Sequence, residues 1–166
     1  MTTFTIKGKA FSTNGALPAV GKPAPDFKLT NNRLKDKSLA DFNGKKKIIY
    51  TVTSLDTEVC EKTAKAFSEA FGQRDDTVLL IVSGDLPFAQ SRVANNQDIK
   101  NATLLSEMRN RNFAKDYGVL IQDGPLAGLM ARAVILVDEK NTISYTEFVE
   151  EITESPDYNA AISASN

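Results

Sequence analysis

Histidine is absent from this chain of 166 residues, tryptophan is absent too, and cysteine occurs once, at Cys60. Without histidine there can be no Ser-His or Cys-His nucleophile pair, and the usual His- or Cys-rich zinc sites lose their ligands. A single cysteine excludes any disulfide within the chain. Acids with EF-hand spacing are missing as well. Excess positive charge is lacking: the formal net charge is -1, which argues against a nucleic-acid scaffold. Lys45-Lys46-Lys47 abuts an apolar run and reads as a solvated turn. No apolar stretch approaches membrane-spanning length, and Met1 to Lys7 lacks the pattern of a secretory signal. The expectation is a soluble, cytoplasmic protein of one domain, residues 1–166; a carboxylate-based metal site stays formally possible. If the chain performs chemistry, a thiol or a pair of carboxylates carries it.

What is present has an ordinary balance for a packed domain, 42% hydrophobic and 25% charged. Phe4 to Thr13 alternates around Gly8 and predicts an N-terminal β-hairpin. A loop punctuated by Pro18, Gly21, Pro23 and Pro25 follows, then a short strand at Phe27–Leu29 and a helical turn at Ser38–Phe42. Lys47–Thr53 and Thr77–Ser83 are rich in β-branched residues and predict strands buried on both faces. Between them Cys60, Ala64, Phe67 and Phe71 share one helical face, and Gly72 ends that helix. Asp85-Leu86-Pro87 reads as a capped helix start, and Asn110–Tyr117 as a short helix closed by Gly118. Ala131–Asp138 and Ile143–Val149 are a strand pair joined at Glu139-Lys140-Asn141, and a last helix runs from Asp157 to Ile162. This order implies an α/β sandwich of thioredoxin type.

With Thr57 at the N-cap, Cys60 is the third helical residue, close to free backbone N–H groups and the positive end of the helix dipole. That setting favours thiolate, the reactive form. The Thr57 hydroxyl can cap the helix or bond the sulfur or a bound peroxide, while Glu58 opposes a second negative charge nearby. Taken alone, a cysteine on an apolar helical face is more often a small core residue than a nucleophile. Arg132 alters that balance. It interrupts an apolar strand, and a buried guanidinium requires an anion. A thiolate would serve; so would a carboxylate such as Asp138 or Glu147, and the spacing does not choose. Asp85, Asp123 and Asp138 leave a carboxylate-pair hydrolase formally open, though such acids commonly cap turns.

Several ordered segments resemble the thiol peroxidase subgroup of the peroxiredoxins: Ser54-Leu55-Asp56-Thr57-Glu58-Val59-Cys60, Asp85-Leu86-Pro87-Phe88-Ala89-Gln90-Ser91-Arg92, Tyr117-Gly118-Val119, Gly124-Pro125-Leu126, Ala131-Arg132-Ala133 and Pro156-Asp157-Tyr158. The resemblance implies a thioredoxin-like fold with a central mixed sheet, flanking helices and an N-terminal hairpin, a homodimer, and reduction of hydrogen peroxide and alkyl hydroperoxides. By the same analogy Cys60 is the peroxidatic nucleophile, Thr57 orients the peroxide, Arg132 activates thiolate and substrate, and no metal, flavin, haem or other cofactor is needed.

Two positions depart from the family pattern. Thr53 stands where the family usually has proline, which adds a hydroxyl and a donor and predicts a wetter, slower pocket. Ala94 stands where a resolving cysteine is common, so the oxidised sulfur needs an external thiol, thioredoxin or a small one. The same two departures also suit a redox sensor that does not turn over, a degenerate binding protein of this fold, or a two-cysteine enzyme whose resolving cysteine has been replaced by alanine.

Overall fold

The structure is a computed structural model describing residues 1–166. Strands β1 (Thr3–Ile6) and β2 (Lys9–Ser12) form the expected hairpin. They turn through Lys7 and Gly8, both at positive φ (50° and 79°), which matches the twist of the flanking strands. Glu151 fastens this hairpin to the body: its carboxylate accepts from the Thr5 hydroxyl at 2.7 Å and from the N–H groups of Lys7 and Gly8. The hydroxyls of Thr5 and Thr153, with those backbone donors, hold its carboxyl down to about 2.

The body contains β3 (Leu29–Thr30), β4 (Asp36–Lys37), a 3-10 turn (Leu39–Phe42), β5 (Lys46–Thr51), α1 (Glu58–Phe71), β6 (Thr77–Ser83), α2 (Pro87–Asn96), β7 (Ala102–Ser106), α3 (Asn112–Asp116), β8 (Ala133–Val137), β9 (Ile143–Phe148) and α4 (Tyr158–Ala164). Seven strands make one mixed sheet in the order β4-β3-β7-β6-β5-β8-β9. The central strands β5, β6 and β7 are parallel; β8, β9, β3 and β4 flank them in antiparallel pairings. Parallel neighbours require a crossover, and α1 and α2 supply the two that are needed.

Alternation along the strands sorts the core into two layers. Ile48, Tyr50 and Val52 face one way, and with Leu79, Ile81, Val134 and Leu136 they pack under Cys60, Ala64 and Phe67 of α1 and Ala161 of α4. Ile49, Leu80, Val82, Ile135 and Val137 face the other way, toward Phe4, Leu39, Phe113 and Ala114. Helix α1 buries Cys60, Thr63, Ala64, Phe67, Ser68 and Phe71, a stripe at helical spacing that fixes which way Cys60 points.

Several sequence expectations need correction. Strand β7 (Ala102–Ser106) was not foreseen. The short strand expected at Phe27–Leu29 forms two residues later. Lys47 is not in a solvated turn: it lies within β5, fully buried, with Nζ donating to the Asp138 carbonyl and the Asn141 side chain. Gly72 ends α1 but not by left-handed geometry, since its φ is -65°. It is small because a Cβ there would stand 2.5 Å from the Asn101 side chain and the Ser68 carbonyl.

Glu107, just past β7, is buried, and its carboxyl accepts the N–H of Ala114 at 3.2 Å. Burial raises it to about 7 from an ordinary 4.5. The native state therefore keeps this proton over a range in which the unfolded chain releases it, and stability falls as pH rises from about 4.5 to about 7. Glu107→Gln keeps the acceptor and removes the ionisation. The variant should match the parent at pH 4 and exceed it in melting temperature at pH 8. Equal melting temperatures at both pH values would show that the burial carries no such cost.

Candidate active site

The site forms at the carboxyl ends of the parallel strands, where open α/β sheets commonly bind ligands. After β5 the chain passes through Thr53, Ser54, Leu55 and Asp56 to Thr57, the N-cap of α1. Cys60 follows in the first turn, with 0% of its surface exposed. Arg132 enters from the residue before β8 and is 3% exposed. Its Nη1 donates to the Cys60 sulfur at 2.9 Å and to the Tyr50 hydroxyl at 2.8 Å, and Nη2 donates to the Ile152 carbonyl at 2.8 Å. Its Nε–H is buried and has no acceptor in the chain.

No carboxylate meets the guanidinium. Of the two acids that could have paired with it, Asp138 accepts from Lys140 and Thr142 within its own turn. Glu147 accepts from Tyr145 and from the N–H of Asp157. Thiol and guanidinium are thus brought together, and the alternative ion pairs are not formed. Burial works against the charge on Arg132, but Tyr50 and Cys60 more than offset it and raise the group above its ordinary value. Burial likewise pushes the Tyr50 phenol well up, so Tyr50 stays neutral and serves as an acceptor.

Thr57 sits where the sequence placed it, but its hydroxyl bonds neither Cys60 nor the helix: it donates to the Ser54 carbonyl at 3.1 Å, and no side-chain cap forms. Thr53 is buried, and neither its N–H nor its hydroxyl finds a partner in the chain. That bears on the family's preference for proline, which would forfeit no hydrogen bond here. Ala94 lies on α2 in the same apolar layer as Cys60. Glu58 opposes negative charge on the sulfur, but it pairs with Lys62 at 3.0 Å; both ends are exposed, so the relief is small.

Sequence reasoning missed two groups. Tyr50 was passed over within the strand Lys47–Thr53, although a hydroxyl in a doubly buried run carries the same signal that singled out Arg132. Asp85 was read as a helix cap. The cap of α2 is instead Leu86, without a side-chain bond, and the Asp85 carboxylate turns to the loop before α1 and to Ser83, with bonds of 2.7 Å to the Ser54 hydroxyl, the Leu55 N–H and the Ser83 hydroxyl. The remaining candidate acids are structural: Asp123 accepts the N–H of Ser12 on β2, far in sequence from Asp138 in its turn, and no group of three metal-ligating side chains forms.

Beside the thiol loop, between α1 and α2, lies an open groove of about 710 Å³ walled by Asp56, Glu61, Arg92 and Val93. Leu86 and Phe88 stand on its lining, 53% and 65% exposed. Cys60 does not reach its surface.

Solved structures of peroxiredoxins and their relatives superpose on this fold. A peroxiredoxin-like protein from Aquifex aeolicus superposes with a TM-score of 0.93 at 36% identity, covering 99% of this chain and 96% of that one. A thiol peroxidase from Chromobacterium violaceum gives 0.89 at 26% identity, covering 97% and 94%. Mycobacterium tuberculosis AhpC, at 19% identity and a TM-score of 0.74 over 90% of this chain and 92% of that one, shares the fold. The fold is therefore thioredoxin-like, as the sequence implied. Among curated relatives, a thiol peroxidase of Leptospira interrogans is 45% identical over 100% of this chain and 98% of its own. One from Streptococcus sanguinis is 43% identical over 99% and 98%. The Redoxin family model matches residues 19–162, and the chain belongs to that family.

The Tyr50 hydroxyl accepts one of the guanidinium's N–H groups in a dry site. Tyr50→Phe keeps the ring contact with Phe67 and leaves that donor unsatisfied. The expected cost is about 1–3 kcal/mol in urea unfolding. A change below about 0.5 kcal/mol would show that the arginine rearranges freely.

Proposed function

We propose that this protein is a thiol-dependent peroxidase that reduces hydrogen peroxide and alkyl hydroperoxides through Cys60. The observation that carries this reading is the 2.9 Å contact between a fully buried sulfur and a buried guanidinium that has no carboxylate partner. A cationic donor at that distance stabilises negative charge on sulfur, and the low-dielectric surroundings strengthen the effect. The first turn of α1 adds its free N–H groups and positive dipole end.

The thiolate attacks one peroxide oxygen, the S–O bond forms as the O–O bond breaks, and hydroxide or alkoxide leaves and is protonated. Cys60 becomes a sulfenic acid, two electrons having passed to the peroxide. The unpartnered Arg132 Nε–H supports a role for the guanidinium toward a peroxide oxygen as well as toward sulfur. In this reading Thr57 orients the peroxide, which requires its hydroxyl to exchange the Ser54 carbonyl for the substrate. With alanine at position 94, an external thiol attacks the sulfenic acid, expels water and forms a mixed disulfide; a second thiol equivalent then frees Cys60. Thioredoxin or a small thiol fits that role. The exposed Leu86 and Phe88 beside the thiol loop favour a partner surface there, in keeping with a homodimer, and we place the single-domain enzyme in the cytoplasm.

The test is intact mass of the reduced protein after one equivalent of hydrogen peroxide, with a sulfenic-acid trap present. Trapping should be stoichiometric at Cys60, absent in Cys60→Ser, and slowed by at least about a hundredfold in Arg132→Met, the loss seen when a key charge-stabilising donor is removed. A parent rate equal to that of free cysteine would rule out the peroxidase reading and leave a redox-inert member of the fold.

Without an internal partner the sulfenic acid remains open to further oxidation. Excess peroxide without thiol should therefore add a second and third oxygen to Cys60, and an external thiol should prevent it. Persistence of the sulfenic acid under excess peroxide would mean that the site itself shields the oxidised sulfur.

A further inference from the structure

We infer that Asp85 is a positioning residue for the peroxide step, acting through Ser54 to set the loop that carries Thr57 and Cys60; the inference rests on the peroxidase reading above. The Asp85 carboxylate makes three bonds of 2.7 Å, from the Ser54 hydroxyl to Oδ1 and from the Leu55 N–H and the Ser83 hydroxyl to Oδ2. Its own carbonyl accepts the Ser106 hydroxyl at 2.6 Å. Ser83 ends β6 and Ser106 ends β7, so the residue is tied to the rigid ends of two central strands and reaches across to the end of a third.

Ser54 passes the constraint on. Its hydroxyl, while donating to Asp85, accepts the N–H of Asp56 at 3.2 Å, and its carbonyl accepts the Thr57 hydroxyl at 3.1 Å. Leu55, held by the same carboxylate, is fully buried in the apolar layer that contains Cys60. Charge-assisted bonds from one carboxylate to a side chain and a backbone amide are short and directional. Here they anchor the six residues between the end of β5 and the start of α1, which contain no regular structure of their own. The purpose of this clamp is geometric. Attack on peroxide needs the sulfur, the guanidinium and the Thr57 hydroxyl in register, and a displacement of about 1 Å costs such a reaction about a hundredfold.

Loosening the loop has a second effect, since the sulfur is fully buried and any reagent reaches it more easily when the loop moves. The two effects separate by comparing reagents. Access alters the rate with peroxide and the rate with a simple alkylating agent such as iodoacetamide in the same direction. Positioning by Thr57 and Arg132 matters to peroxide alone.

The experiment measures both second-order rates at Cys60 by intact mass in the parent, Asp85→Ala, Asp85→Asn and Ser54→Ala, with melting temperatures and amide exchange at Leu55. In Asp85→Ala the ratio of peroxide to iodoacetamide rates should fall at least about tenfold and the Leu55 amide should exchange faster. Asp85→Asn retains one carbonyl oxygen for the Leu55 N–H and should recover part of the ratio. Ser54→Ala removes one of the three bonds and should lower the ratio in the same direction, by less. If Asp85→Ala does not fold, the other two variants decide the matter. A ratio within twofold of the parent in the folded variants overturns the inference, as does a fall in both rates by the same factor, which marks a purely structural role. A parent no faster with peroxide than free cysteine strikes the peroxidase reading itself, and is told apart because it needs no variant.

Discussion

Everything at this site follows from burying one guanidinium without a carboxylate. Removing an arginine from water costs several kcal/mol, and Arg132 recovers part of that through Tyr50, the Ile152 carbonyl and the Cys60 sulfur. Each of these bonds involves the guanidinium's charge and returns about 1.5–3 kcal/mol. An anionic third acceptor would return more than a neutral one. A core built for stability alone would place an apolar residue at position 132, in the manner of Ala131 and Ala133 beside it.

The remaining architecture brings that pair together and keeps it dry. Strand alternation directs Tyr50 to the face that α1 covers, and the helical stripe from Cys60 to Phe71 turns the sulfur to the same face. Antiparallel pairing of β8 with β5 sets Ala133 opposite Thr51, which places Arg132 level with the end of β5 and hence with the start of the thiol loop. Parallel strands with their carboxyl ends aligned then bring Asp85 next to Ser54. No one element contains the site; the register of the sheet assembles it.

Much of this was legible in the sequence because it depends on local rules. The hairpin, the strands at positions 47–53 and 77–83, the helix bearing Cys60 and the strand pair after Arg132 announce themselves by period and by turn residues. The link between Arg132 and Cys60 was readable as a need, an unpaired cation in an apolar strand, but not as a pairing, since carboxylates could have met it equally well. What stayed hidden depends on neighbours distant in sequence. Strand β7 has too few apolar residues to declare itself before β6 gives it an edge to join. Asp85 stands just before a proline-started helix, where a capping role is the local expectation; only the fold shows that its carboxylate turns to residues thirty positions earlier. Lys47 joined a run of lysines and looked solvated, yet strand alternation and the turn at Asn141 enclose it.

The two departures from the family pattern fall on different halves of the chemistry. Thr53 lies in the clamped loop with a free N–H and hydroxyl, so in the proposed reading it bears on the attack. Ala94 lies on α2 and makes no bond to Cys60, Thr57, Arg132 or Asp85; its methyl group contributes only packing to the apolar layer. Alanine at that point leaves the sulfur–guanidinium contact and the bonds of Asp85 untouched. In the proposed reading the oxidative half-reaction needs nothing from position 94, and the reductive half, with the sulfur fully buried, waits on access to Cys60.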